Sequence, residues 1–189
     1  LDRRPGTHHP HPGAHDRDHQ QDEPHLAPAP AGIRLRARCP DPGRENGNPG
    51  RQDDALGIRL AEKMEEWIRE ENITNIEVDY NYQLNIEDAD RISDFELVIF
   101  TDASIEEMND FLFTEVNPSE ATIEFTMHAV SPSFVIDLCK KLYGKTPKTF
   151  LVHIKGYEFD FIEELTENAN LNLAKATSFL KEKIKELTK

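Results

Sequence analysis

Two short apolar runs, Phe95-Glu96-Leu97-Val98-Ile99-Phe100-Thr101 and Thr149-Phe150-Leu151-Val152-His153-Ile154, constrain this chain more than any other feature. Both are apolar at almost every position and too short for an ordinary helix, the pattern of a strand covered on both faces. Such strands belong to a parallel sheet held between helical layers. The flanking segments agree. Over residues 54–71, Leu60, Met64, Trp67 and Ile68 recur at helical spacing. Residues 76–80 alternate like a strand, and so do residues 121–127, with Ile123, Phe125 and Met127 on one side. Ser131-Pro132 reads as an N-cap with proline at the first helical position. The helix it opens carries Phe134, Val135, Leu138 and Leu142 and stops at Gly144. A last helix, over residues 169–187, places Leu173, Ala176, Leu180, Ile184 and Leu187 on one face. The predicted fold class is α/β, a three-layer, mainly parallel twisted sheet with helices on both faces.

The first quarter of the chain reads differently. Residues 1–46 hold six of the eight histidines and eight of the twelve prolines, and their seven positive and seven negative side chains cancel. With few large apolar residues and no visible period, this stretch is expected to bury too little surface to offset its ordering entropy. Residues 1–46 are therefore read as a disordered, non-native leader, with the ordered domain over 47–189. His8, His9, His11, His15, His19 and His25 offer a histidine-rich tract of weak metal affinity but no fixed ligand geometry.

Composition removes several functions. A net charge of −14 argues against nucleic acid, which needs clustered Lys and Arg to displace counterions. No run of 18 apolar residues exists, so no membrane span and no membrane partner are expected. Cys39 and Cys139 make neither a disulfide framework nor a zinc knuckle, and a reducing cytoplasm is the simplest setting. There is no phosphate loop, no Gly-x-Gly-x-x-Gly after a strand and no Gly-x-Ser-x-Gly around Ser131 or Ser133. Cys139, amid apolar neighbours, reads as a small core residue.

Three positions carry possible chemistry. Gly47-Asn48-Pro49-Gly50 is turn chemistry directly before a helix, and Asp53 and Asp54 then either cap that helix or act as functional acids. Asp102 follows a buried strand at the sheet edge where ligands collect, yet an Asp there also caps helices, and either Asp102 or Ser104 suits a helix beginning near Ile105. His128 lies between the 121–127 strand and the Ser131 cap, on a loop at that same edge. His153, inside an apolar strand, reads as a core or half-buried histidine. Two carboxylates and one imidazole from three strand ends suit a borderline divalent cation such as nickel, zinc or manganese.

Three segments resemble the signatures of the hydrogenase maturation proteases. Gly47-Asn48-Pro49-Gly50-Arg51-Gln52-Asp53-Asp54-Ala55-Leu56-Gly57 is similar to the opening motif, in which an acidic pair precedes a small residue and a glycine. Phe100-Thr101-Asp102-Ala103 is similar to the second, a buried strand closed by Asp-Ala, and Met127-His128-Ala129-Val130-Ser131-Pro132 to the third, a histidine just before a helix. Their order and spacing agree over residues 47–189. The resemblance implies a phosphorylase/hydrolase-like fold and a single peptidase domain. It implies an endopeptidase that removes the C-terminal extension of a [NiFe]-hydrogenase large-subunit precursor. It also implies that Asp54, Asp102 and His128 contact the nickel carried by that precursor, or a substitute divalent cation, with Asp54 and Asp102 as the catalytic acids. The partner implied is the precursor alone, with the enzyme a monomer.

Two segments depart from the family pattern. Asp79-Tyr80-Asn81-Tyr82 stands where many relatives have Asp-Gly-Gly. The family's first strand would end at Glu45-Asn46, but residues 38–44 carry two prolines and no apolar run, so no central strand is expected there. Peptidyl-tRNA hydrolase also begins with Gly-Asn-Pro-Gly on a related fold. It would need a histidine base soon afterward, and none occurs between His25 and His128. A non-catalytic module that senses nickel or docks on a hydrogenase subunit is the remaining alternative.

Overall fold

The computed structural model describes residues 33–38, 52–81, 84–119 and 130–187. Five strands form one sheet in the order β2-β1-β3-β5-β4: β1 Ile33–Arg38, β2 Ile76–Asn81, β3 Leu97–Ser104, β4 Phe111–Glu115 and β5 Lys148–Lys155. β1, β2, β3 and β5 run parallel, and β4 closes one edge antiparallel to β5. Four helices complete the fold: α1 Leu56–Glu70, α2 Asp88–Ile92, α3 Pro132–Tyr143 and α4 Glu167–Leu187. The expected α/β sheet with helices on both faces is the observed one.

The two faces follow from residue parity. Leu97 and Ile99 of β3, with Phe150, Val152 and Ile154 of β5, pack under α1 and α4, where Leu60, Met64, Leu173, Ala176 and Leu180 are buried. Val98 and Phe100 of β3 point the other way, onto Ala89 and Ile92 of α2 and Val135, Ile136 and Cys139 of α3. Each fully buried Leu or Ile of this kind contributes about 1.5–3 kcal/mol relative to an exposed one. α3 starts and stops where its sequence signals stood. Ser131 Oγ accepts the Phe134 N–H at 3.3 Å, and Gly144 ends the helix at φ 66°.

Three expectations need correction. The first strand is neither missing nor near Glu45-Asn46: Ile33–Arg38 forms it, inside the stretch read as disordered, and it lies in the middle of the sheet between β2 and β3. Ile33, Leu35 and Ala37 alternate with three arginines, a period of two hidden in a charged context. Arg34 is accommodated beside the sheet by stacking 4.5 Å over the Phe95 ring and pairing with Glu77 at 3.1 Å. Second, residues 54–71 are not one helix, since a 3-10 turn, Gln52–Ala55, precedes α1. Third, no helix begins near Ile105. Ser104 Oγ accepts the Glu106 N–H at 3.1 Å and the chain turns into β4, an edge strand the sequence did not suggest. The expected strand over residues 121–127 lies outside the described residues.

β1 leads through α1 to β2 on one side, while β3, on its other side, leads away toward β4 and β5. The chain directions therefore diverge between β1 and β3. In sheets of this kind, ligands bind outside the carboxyl ends of the strands at that point.

Candidate active site

α1 is pressed onto that edge through a glycine. A Cβ on Gly57 would lie 2.8 Å from the Thr101 carbonyl oxygen and 3.1 Å from Asp102 Cα, so no larger residue fits without displacing backbone. Thr101 Oγ1 donates to the Gly57 carbonyl at 3.1 Å, fixing the contact. Asp54 stands three residues before Gly57 in the 3-10 turn, which itself packs on β3. The first turn of α1 thus brings the element carrying Asp54 to the strand end carrying Asp102. Both carboxylates are half-buried.

Asp102 lies within β3 rather than past its end, and its Oδ1 accepts the Ala103 N–H at 3.0 Å. It caps no helix. Asp53 and Asp54 do not cap α1 either, whose N-cap is Ala55 with no side-chain bond.

Asp53 has a different task. It is fully buried. Its Oδ2 accepts from the Tyr157 N–H at 2.8 Å, the Glu158 N–H at 3.2 Å and the Thr166 hydroxyl at 2.8 Å. Its Oδ1 accepts the Thr166 N–H at 2.8 Å. Thr166 Oγ1 in turn accepts the Ala169 N–H at the start of α4. Beside it, Gln52, at φ 46°, exchanges backbone and side-chain hydrogen bonds with Ile162, Glu158 and Asp160. One buried carboxylate therefore ties the segment between β5 and α4 to the turn that carries Asp54. Gly156 is part of this closure, since a Cβ there would come within 2.9 Å of Asp53 Cβ and 2.8 Å of the Phe159 ring.

His128, the third expected residue, lies outside the described residues. Among the described residues, no three carboxylate, imidazole or thiol groups are gathered closely enough to hold one metal ion. His153 is half-buried near the end of β5 and is the register partner of Asp102. Its nearness to Asp102 was invisible in the sequence, because only the pairing of β3 with β5 creates it. Cys139 is buried as expected, and burial pushes its thiol pKa up, leaving it a poor nucleophile.

Several solved structures share this architecture. HycI, a [NiFe] hydrogenase maturation protease from Thermococcus kodakarensis, superposes with a TM-score of 0.57 at 20% identity, over 80% of this chain and 91% of its own. The hydrogenase maturating endopeptidase HybD from Escherichia coli gives 0.59 at 17%, over 82% and 93%. The chain has the hydrogenase maturation protease fold. A hydrogenase 2 maturation peptidase from a Thaumarchaeota archaeon shares this fold at 13% identity and a TM-score of 0.53, over 81% of this chain and 97% of its own. No protein-family model matches the sequence, nor does any curated protein. Within this maturation-protease fold, no helix of the described residues is long and apolar enough to cross a membrane.

Proposed function

We propose that the chain is an endopeptidase that removes the C-terminal extension of a [NiFe]-hydrogenase large-subunit precursor once nickel has been loaded. The observation that carries the reading is the Gly57 junction, which seats the turn bearing Asp54 against Thr101 and Asp102 at the sheet's switch point. The maturation-protease fold and the sequence pattern ending at His128 support it.

The neighbouring acids have distinct parts. Asp53 is sealed and accepts four hydrogen bonds, so it holds structure. Asp54 and Asp102 are half-buried at the edge, where a substrate would meet them. With the His128 imidazole they form an oxygen, oxygen, nitrogen donor set suited to a borderline divalent ion. The nickel belongs to the substrate, and a precursor without it offers these residues nothing to grip. When bound there, the substrate's nickel would supply Lewis acidity toward the scissile carbonyl or an attacking water. One of Asp54 and Asp102 would orient the ion, and the other would take the proton of the attacking water and pass it to the leaving amide nitrogen. The water oxygen bonds to the scissile carbonyl carbon, the C–N bond breaks, and the products are a large subunit ending in a new carboxylate and a tail with a free amine. The reading places the enzyme in the cytoplasm as a monomer, acting on the precursor and on neither nucleic acid nor membrane.

The test is incubation of the full chain with a nickel-loaded precursor, followed by intact-mass measurement. The expected result is loss of the C-terminal extension with nickel and an unchanged mass without it. Binding of the nickel-loaded precursor with no cleavage would identify a docking module and contradict the proposal.

A further inference from the structure

The register between β3 and β5 sets Asp102 directly beside His153. Adjacent strands lie about 4.8 Å apart, and residues paired side by side project from the same face. The core confirms that face. Ile99 pairs with Phe150 under α1 and α4, Phe100 with Leu151 on the α3 side, and Ala103 with Ile154 again under α1 and α4. Asp102 and His153 therefore both project on the α3 side, the side on which Val130, two residues after His128, packs. On the far flank of His153 the β4 partner is Leu112, 45% exposed, so the imidazole stands at an open rim.

His153 is unusual in its surroundings. β5 otherwise fills its middle with Phe150, Leu151, Val152 and Ile154. Among the described residues, the His153 side chain makes no hydrogen bond or ion pair with another side chain or the backbone. A half-buried imidazole contributes little to a strand of this kind by packing alone, and its ring nitrogens are left for water or a ligand. Its register partner on that face is Asp102.

We propose that His153 supplies an imidazole to the carboxyl edge of the sheet, sharing one borderline divalent cation with Asp102. This rests on the reading of Asp102 as a cation ligand. Ligand atoms sit about 2.0–2.2 Å from such an ion, so an oxygen and a nitrogen sharing it lie about 3 Å apart, within rotamer reach of two side chains on neighbouring strands. A carboxylate paired with an imidazole favours nickel or zinc over magnesium or calcium, which prefer oxygen. His153 thereby tunes which ion the edge accepts.

The test uses the full chain labelled with 15N-histidine and titrated with Zn2+ as a diamagnetic probe, reading the ring nitrogens by two-dimensional NMR. His153→Gln and His128→Gln assign the two resonances, so the six histidines of residues 1–46 do not obscure the result. At one equivalent of Zn2+, the His153 ring nitrogens are expected to move to metal-bound positions. In Asp102→Asn this shift is expected to vanish. If His128 moves and His153 does not, the inference is overturned while the proposed function stands. A His153 shift that persists in Asp102→Asn overturns the shared site. Silence of both histidines overturns the inference and the cation role of this edge together.

Discussion

Two regions of the sheet's carboxyl edge handle polar side chains in opposite ways. In the turn before α1, Gln52 and Asp53 are buried and tied by hydrogen bonds to Tyr157, Glu158, Asp160 and Thr166. At the ends of β3 and β5, Asp102 and His153 are half-buried and project on the α3 side of the sheet. The first region is built to stay fixed, and the second is built on it to meet something. The difference shows why adjacent acids such as Asp53 and Asp54 cannot be assigned together. Burial divides them, one into a structural tie and the other into a candidate ligand.

The sharpest way to break this contrast is Asp53→Ala. It strands three backbone N–H groups and one hydroxyl, and unfolding in urea is expected to show a loss of about 3–4 kcal/mol. An unchanged midpoint would mean that the 157–166 segment does not depend on Asp53. Gly57→Ala probes the junction between the two regions. Its Cβ meets backbone at 2.8 Å and 3.1 Å, so a loss of about 1–3 kcal/mol is expected, with precursor cleavage falling further than stability because Asp54 moves relative to Asp102.

Much of this was legible in the sequence, and the losses have physical causes. β3 and β5 announce themselves because burial on both faces leaves no polar alternation. α3 does so because Ser131, Pro132 and Gly144 each have one strong conformational preference. β1 escaped because its alternate positions are arginines, whose charge hides the strand until Phe95 and Glu77 supply partners for Arg34. Asp102 stood out by its place at a strand end and Asp54 only through the family resemblance, while the tie made by Asp53 stayed hidden because its partners lie more than a hundred residues away. His153 read as a core or half-buried histidine and is half-buried, but its place next to Asp102 was hidden because strand order, not local sequence, creates it.

Two smaller effects sharpen the picture. Ser131→Ala removes the cap of α3, just after His128, and is expected to lower stability by about 1 kcal/mol in thermal or urea unfolding. His153→Gln is expected to change stability by less than about 0.5 kcal/mol, because no hydrogen bond among the described residues depends on the ring. A cost comparable to that of Asp53→Ala would move His153 into the fixed region and remove the contrast.

The central claim is that Asp54 and Asp102 act together on the nickel-loaded precursor while leaving the fold to others. Its most direct measurement compares tail removal by the intact chain, Asp54→Ala and Asp102→Ala, with unfolding midpoints taken on the same samples. Both variants are expected to keep the midpoint and lose cleavage by at least about a hundredfold, the scale of removing one transition-state contact. Normal tail removal by either variant, with its fold intact, would contradict the account.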